Sequence, residues 1–243
     1  MRKIRAYVDH PLAESGELTL PEAPSHHLLR VLRLRPGARI HLFDGQGLEY
    51  PAEILPSETR GSCRVRLDPA VQPPVESPLQ VTLFQAIGRG DRMDWAVQKA
   101  TELGVARIQP VMSERTEVRL DPKRAEKRRR HWQQVAVSAA EQAGRVRIPC
   151  IELPLALAQI TADAGLAFFL DPQAEQGLND LTRPADGRCA LVVGPEGGLS
   201  EVETQYLQQQ GFGPLRMGPR VLRTETAGPV AIALLQARFG DLA

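Results

Sequence analysis

Hydrophobic residues recur along the chain with two rhythms, and the change falls at a proline-rich stretch. Before residue 68 the apolar runs are short and bounded by turn residues. Arg39-Ile40-His41-Leu42-Phe43 runs into Asp44-Gly45, a hairpin-type dipeptide. Glu49 to Ile54 follows, then Arg64-Val65-Arg66-Leu67, which alternates polar and apolar as a half-buried strand does. Ser25 to Leu34 reads as one helix, stopped at Pro36-Gly37. Together these predict a small, mostly β domain over residues 1–70. Asp68 to Pro78 holds four prolines, Pro69, Pro73, Pro74 and Pro78. Such a stretch sustains neither a helix nor a central strand, so residues 71–78 read as a linker.

From residue 79 to 243 strands alternate with helices. Val81 to Ile87 reads as a buried strand. Met93, Ala96, Val97, Ala100 and Leu103 recur at helical spacing, and Gly104 supplies a stop. Arg107 to Met112 reads as a strand and Pro122 to Ala143 as a long helix. Leu166 to Leu170 and Cys189 to Val193 are apolar runs of strand length. Ser200 with Glu203 forms a capping box, predicting a helix from Ser200 to about Gly211. A last helix, from about Glu225 to Phe239, is apolar on most faces. Its Pro229 is tolerable in the first turn or so. Alternating β and α elements predict an α/β domain with a mostly parallel sheet.

Composition narrows the class without naming a partner. The 243 residues are 42% apolar and 24% charged, with a net charge of +1. That is an ordinary globular balance. Cys63, Cys150 and Cys189 are far apart and form no Cys-x-x-Cys pair, which argues against a zinc site or a disulfide framework. No apolar run approaches the ~20 residues that span a bilayer, and no signal-peptide pattern opens the chain. The expectation is a cytoplasmic protein with reduced thiols.

Two turns carry the candidate chemistry. Val192-Val193-Gly194-Pro195-Glu196-Gly197-Gly198 follows one apolar run, and Leu215-Arg216-Met217-Gly218-Pro219 follows another. Strand, backbone-rich turn and helix N-terminus in sequence build ligand pockets in α/β proteins. A plain tight turn is the competing reading of the first. Neither turn has the Gly-x-Gly-x-x-Gly or Lys-Ser/Thr spacing of dinucleotide and phosphate loops. Leu222-Arg223-Thr224-Glu225-Thr226-Ala227 opens the last helix. Thr224 or Thr226 suits an N-cap, but Arg223 is badly placed for the helix dipole, which points to a ligand or ion-pair role. Basic residues gather between Arg115 and Arg147 and again at Arg2, Arg30 and Arg33. They form either solvated faces or one face for a polyanion. Lys99 and Glu102, three apart, suit a surface ion pair.

Taken in order, these residues resemble the RsmE family of ribosomal RNA methyltransferases, in the trefoil-knotted SPOUT superfamily. The resemblance runs through Arg5 and Tyr7, His27 with Arg30 to Arg33, Leu42 to Gly45, Gln98-Lys99 with Glu102 to Val105, and Ser113 to Arg115. It continues in Glu141-Gln142 with Arg145, in Gly194 to Leu199, and in Gly218 to Ala227. It implies a PUA-like RNA-binding β-barrel followed by a knotted methyltransferase domain that works as a homodimer. It also implies S-adenosylmethionine as cofactor, no metal, no membrane, and N3 of one uridine in 16S ribosomal RNA as acceptor. A folded small ribosomal subunit is the expected substrate. Relatives acting on transfer RNA and a non-catalytic RNA-binding factor are the competing readings.

On that resemblance the cofactor is expected against Leu170, Gly194, Pro195, Glu196, Gly197, Leu215, Met217, Gly218, Leu222 and Thr224. Arg5, Arg145 and Arg223 are candidates for stabilising the uridine anion or gripping phosphate. Glu102 and Glu141 are candidate bases. Arg2, Arg30, Arg33, Lys99, Arg115 and Arg128 are expected to bind RNA.

Overall fold

The computed structural model describes residues 3–12, 15–118 and 120–242. Its internal contacts divide the chain into two units. The first gathers residues up to Glu76 together with Ala140–Ile148, and the second gathers Ser77–Ala139 with the chain from Pro149 onward.

The first unit is a five-stranded sheet of β1 (Arg5–Tyr7), β2 (Gly16–Thr19), β3 (Arg39–Phe43), β4 (Glu49–Leu55) and β5 (Arg64–Leu67), in the order β1-β3-β4-β5-β2. Only β1 and β3 run parallel. The alternation in β5 does what it predicts. Val65 and Leu67 enter the core with Leu28, Ile40, Leu42 and Ile54. Arg64 and Arg66 face out and donate to Glu17 at 2.9 Å and Glu53 at 2.8 Å.

Two local expectations are corrected here. The hairpin expected at Asp44-Gly45 joins β3 and β4, but through a longer loop over residues 44–48, in which the Asp44 carboxylate accepts the Gln46 N–H at 3.0 Å. The helix expected over Ser25–Leu34 is α1 (Glu22–His26) running into a π-helical turn, His27–Val31. Arg33 then takes φ 53°. A left-handed residue ends the helical path before Pro36 is reached.

The units divide between Glu76 and Ser77, within the stretch expected as a linker, but Ala140–Ile148, expected in the second domain, groups with the first unit. The cause is a set of polar bonds between residues far apart in sequence. Arg5 donates to the carbonyls of Ala140 at 3.0 Å, Glu141 at 3.3 Å and Arg145 at 2.9 Å. The Glu141 carboxylate accepts the Tyr7 N–H at 2.8 Å. Glu76 accepts the Arg145 guanidinium at 2.8 Å and the N–H groups of Val146 and Arg147, both at 2.9 Å.

The second unit is a wholly parallel sheet: β6 (Gln80–Ala86), β7 (Arg107–Met112), β8 (Cys150–Ile151), β9 (Leu155–Ala156), β10 (Leu166–Leu170), β11 (Arg188–Val193) and β12 (Gly213–Leu215). The order is β12-β10-β11-β6-β7-β8, with β9 also on β7. A parallel sheet is covered on both faces, so its central strands are apolar throughout. Leu83, Leu191 and Val193 pack in one cluster, and Phe84, Ala190 and Val192 in another. The helices are α2 (Arg92–Glu102), α3 (Pro122–Ala143), α4 (Glu201–Gln209) and α5 (Thr224–Phe239). Because α5 begins at Thr224, Pro229 falls beyond its first turn. The proline therefore leaves the Glu225 carbonyl without its helical N–H. Gly228, just before it, is a close-approach residue: a Cβ there would lie 2.8 Å from Gln85 Oε1. Among the described residues no helix is long and apolar enough to cross a membrane.

Candidate active site

A parallel sheet sends all its carboxyl ends to one edge, where ligand crevices form. At that edge of the second unit, the segments after β10, β11 and β12 enclose a cleft of about 750 Å³. Leu170, Gly194, Pro195, Glu196, Leu215, Met217, Gly218, Leu222 and Thr224 line it, as does Arg223. Gly197 is not among its walls; it packs against the Arg115 side chain. Sequence reasoning missed Asp171, Gln173, Leu199 and Arg220. Asp171 and Gln173 follow directly on a strand that the apolar run had marked, and that position was the available signal.

Backbone conformation shapes the cleft. Gly218 takes φ 119°, a value side chains resist. A Cβ on Gly194 would sit 3.0 Å from Leu199 Cγ, so Gly194 keeps the first turn closed against its own continuation. The capping box at Ser200 is present as expected, with Glu203 accepting the Ser200 N–H at 2.9 Å. Its other oxygen accepts the Glu114 N–H at 2.7 Å. Arg115, expected to bind RNA, donates to the Gly197 carbonyl at 2.9 Å and so braces this turn.

Thr224 departs from the expected N-cap. The cap position is Arg223, without a side-chain cap bond. The Thr224 hydroxyl instead donates to the Gly194 carbonyl at 2.6 Å and accepts from Gln85 Nε2 at 3.0 Å. It ties the start of α5 to the turn after β11, with Gln85 buried beneath. Thr224→Val keeps the shape and removes both bonds. It leaves Gln85 Nε2 with the Ala86 carbonyl at 3.3 Å and takes from the Gly194 carbonyl its Thr224 donor, at about 1–3 kcal/mol in all. Its denaturation midpoint should fall accordingly; an unchanged midpoint would count against this tie.

Charge at the cleft is organised by Arg92, which pairs with Glu196 and lies 3.9 Å from Glu225. Partial burial would raise the Glu196 carboxyl. A bond to its own backbone N–H and the Arg92 partner outweigh that and hold it below the usual range.

The remaining expected site residues lie elsewhere. Glu102 accepts Lys99 Nζ at 2.7 and 2.9 Å, forming the anticipated ion pair, and neither lines the cleft. Arg128 is exposed on α3. Its neighbours Arg129 and Arg130 both pair with Glu126, whose carboxyl they pull down to about 2. Arg30 and Arg33 are exposed in the first unit; Arg2 lies outside the described residues. Arg5, Glu141 and Arg145 belong to the first unit, where carbonyls and carboxylates accept from the two arginines and the Glu141 carboxylate accepts the Tyr7 N–H. No cluster of metal-ligating side chains occurs among the described residues.

Burial pushes the Glu141 carboxyl up, against the opposing effect of the Tyr7 N–H. A carboxyl raised in the folded state gives full stability below its unfolded value, lost as pH rises through the folded one. Glu141→Gln retains an acceptor for Tyr7 and removes the charge. Its thermal midpoint should exceed the parent's at pH 7 and match it below about pH 4. A lower midpoint at pH 7 would contradict this reading.

The RNA methyltransferase domain model matches residues 75–236, and the RNA methyltransferase PUA domain model matches residues 20–68. Ribosomal RNA small subunit methyltransferase E of Buchnera aphidicola subsp. Schizaphis graminum is 32% identical over 98% of this chain and 97% of its own length. The protein of that name in Mycobacterium bovis is 34% identical over 93% and 88%. Its Neisseria gonorrhoeae counterpart, solved bound to S-adenosyl methionine, superposes with TM-score 0.91 at 36% identity over the whole of both chains. A Legionella pneumophila protein solved with the same cofactor gives TM-score 0.94 at 37% identity, again over both whole chains.

Proposed function

The chain belongs to the RNA methyltransferase family, alongside the ribosomal RNA small subunit methyltransferase E proteins, and on that premise we propose that it methylates N3 of one uridine in 16S ribosomal RNA. S-adenosylmethionine is the donor. The observation that carries this reading is the cleft built from the turns after β11 and β12. Its volume of about 750 Å³ lies within the range of small-molecule sites, and its lining combines apolar side chains with exposed main chain.

The lining suits this cofactor. Leu170, Leu215, Met217 and Leu222 would flank the adenine, and the main chain of Gly194–Glu196 and Met217–Gly218 would take its polar edges. Arg92 keeps Glu196 ionised on one wall. When bound, the cofactor supplies an electrophilic methyl group on a sulfonium. Uridine N3 must lose its proton to accept that group, and a cation stabilises the resulting anion. Arg223 and Arg220, both exposed at the cleft, are the cations placed for that or for phosphate.

The same reading includes a PUA-like barrel in the first unit, a homodimer, and work on the small subunit during its assembly in the cytoplasm. It also includes a trefoil knot. The path supports the knot. After β11 the chain runs out through α4 to β12 at the sheet edge, then returns as α5 onto β11 and β6. Full-length similarity to small-subunit enzymes favours ribosomal over transfer RNA. Calorimetry with S-adenosylmethionine tests the cofactor: one site per chain is expected. No binding would leave a non-catalytic RNA-binding factor as the better reading.

A further inference from the structure

Next to the cofactor cleft, Arg89, Asp91, Arg92, Trp95, Glu225 and Thr226 line a second, more open pocket. We propose that this pocket takes one nucleotide of the RNA substrate. Its base stacks on Trp95, its phosphate meets Arg89, and Glu225 accepts an N–H from the base edge. The inference deepens the methyltransferase reading above and rests on it.

Trp95 stands off the apolar stripe of its helix. Met93, Ala96, Val97 and Ala100 are all buried, whereas Trp95 is 43% exposed. Packing of α2 does not need it there. Among the described residues it is the only large apolar side chain of the pocket, and its companions are charged or polar. An aromatic face beside guanidinium groups is the recurring chemistry of single-stranded RNA sites. A protein partner would call for a wider apolar surface.

The two arginines are not equivalent. Arg92 is committed to Glu196 and stands near Glu225. It therefore forms a wall common to this pocket and the cofactor cleft. Arg89 pairs with Glu117, and both side chains are more than half exposed. Exposed pairs of this kind are weak, so a phosphate can displace Glu117.

Glu225 supplies the specific element. Its Oε2 is buried without a hydrogen-bond partner. Buried acceptors are ordinarily satisfied, and a change of the Glu225 side-chain rotamer would turn this oxygen into the pocket that the residue lines. Uracil presents an imide N–H at N3, a donor that this carboxylate lacks in the protein alone. A base held this way lies against the wall that bounds the cofactor cleft.

The test uses the full chain without cofactor. Intrinsic tryptophan fluorescence is titrated with a ten-residue single-stranded oligouridylate and with its N3-methylated counterpart. Trp132 is 1% exposed, so quenching reports Trp95. Saturable quenching is expected, and it should vanish in Trp95→Phe. Trp95→Ala removes the reporter, so its affinity is read by the anisotropy of a fluorescein-labelled oligomer and should fall about tenfold; Arg89→Ala should flatten the salt dependence. The parent should prefer the unmethylated oligomer, and Glu225→Ala should bind both alike. Quenching that survives in Trp95→Phe, or unchanged affinity in Trp95→Ala, would overturn the proposal. So would a Trp95→Ala variant that changes only the sedimentation of the free protein, since that marks a self-association face. A protein that binds RNA here yet transfers no methyl group would sink the enzymatic reading and leave the pocket. Normal methyl transfer by Trp95→Ala at the parent KM would do the reverse.

Discussion

Arg5→Met is expected to destabilise the first unit by about 3–5 kcal/mol, the usual penalty for removing one partner of a buried ion pair. The Arg5 side chain is 6% exposed and that of Glu49 5%, with Nε donating to Oε1 at 2.7 Å. The other two guanidinium nitrogens hold the carbonyls of Ala140, Glu141 and Arg145, and the Phe43 ring lies 4.4 Å from the guanidinium carbon. Methionine can fill much of the space but leaves Glu49, among the described residues, with Lys3 and the His41 imidazole as its remaining side-chain partners. It also releases the segment 140–148 that the guanidinium ties to β1. Burial would raise the Glu49 carboxyl; the bond and charge of Arg5 outweigh that and hold it below its ordinary value. Its folded value therefore lies below its unfolded one. The stability it contributes is present above about pH 4.3 and lost as pH falls through the folded value. Unfolding by urea at pH 7 and in acid reads both effects. The variant should be much weaker at pH 7 and closer to the parent in acid. An unchanged midpoint at pH 7 would contradict the clasp.

Gly194→Val has the largest expected effect on cofactor binding. The glycine lines the cleft, and the first added carbon would already press on Leu199 Cγ at 3.0 Å. Leu199 lines the cleft too, so its displacement and the valine methyls both consume ligand volume. Overfilling a packed site costs about 1–3 kcal/mol, a roughly five- to 150-fold loss of affinity. The fold should survive, because the strain falls on a side chain at the sheet edge and not on the strands. Calorimetry with S-adenosylmethionine and circular dichroism separate the two. Parental affinity in a folded Gly194→Val protein would move the cofactor away from this turn. Gly197 is a weaker probe, since its position faces Arg115.

Local signals in the sequence carried well. Ser200 and Glu203 form their capping box because both halves of that motif lie within one turn. The expected helix over 122–143 has the observed bounds. Nine of the ten residues that the family resemblance set against the cofactor line the cleft, and six of the nine lie in the two glycine- and proline-marked turns after apolar runs. Partnerships across long sequence distances did not carry. Arg5 reads as a spare cation until the Ala140 carbonyl, 135 residues away, is brought beside it. The grouping of 140–148 with the first unit follows from the same bonds. Thr224 has the composition of an N-cap, yet its hydroxyl is claimed by Gly194 and Gln85, 30 and 139 residues distant. The strand order is likewise non-local, since consecutive strands β11 and β12 are separated by β10. Trp95 was legible in principle, as a large apolar residue off its helix's buried stripe. Its value as a signal appears only once the stripe is shown to be buried without it.

The central claim is N3 methylation of one uridine in the small-subunit RNA. It is tested most directly by incubating small ribosomal subunits from cells lacking this protein with the purified protein and labelled S-adenosylmethionine. The RNA is then digested and mapped by mass spectrometry. One new 3-methyluridine, at a single position in 16S RNA, is the predicted result. No transferred label, or label in a different nucleoside or in transfer RNA, would contradict it.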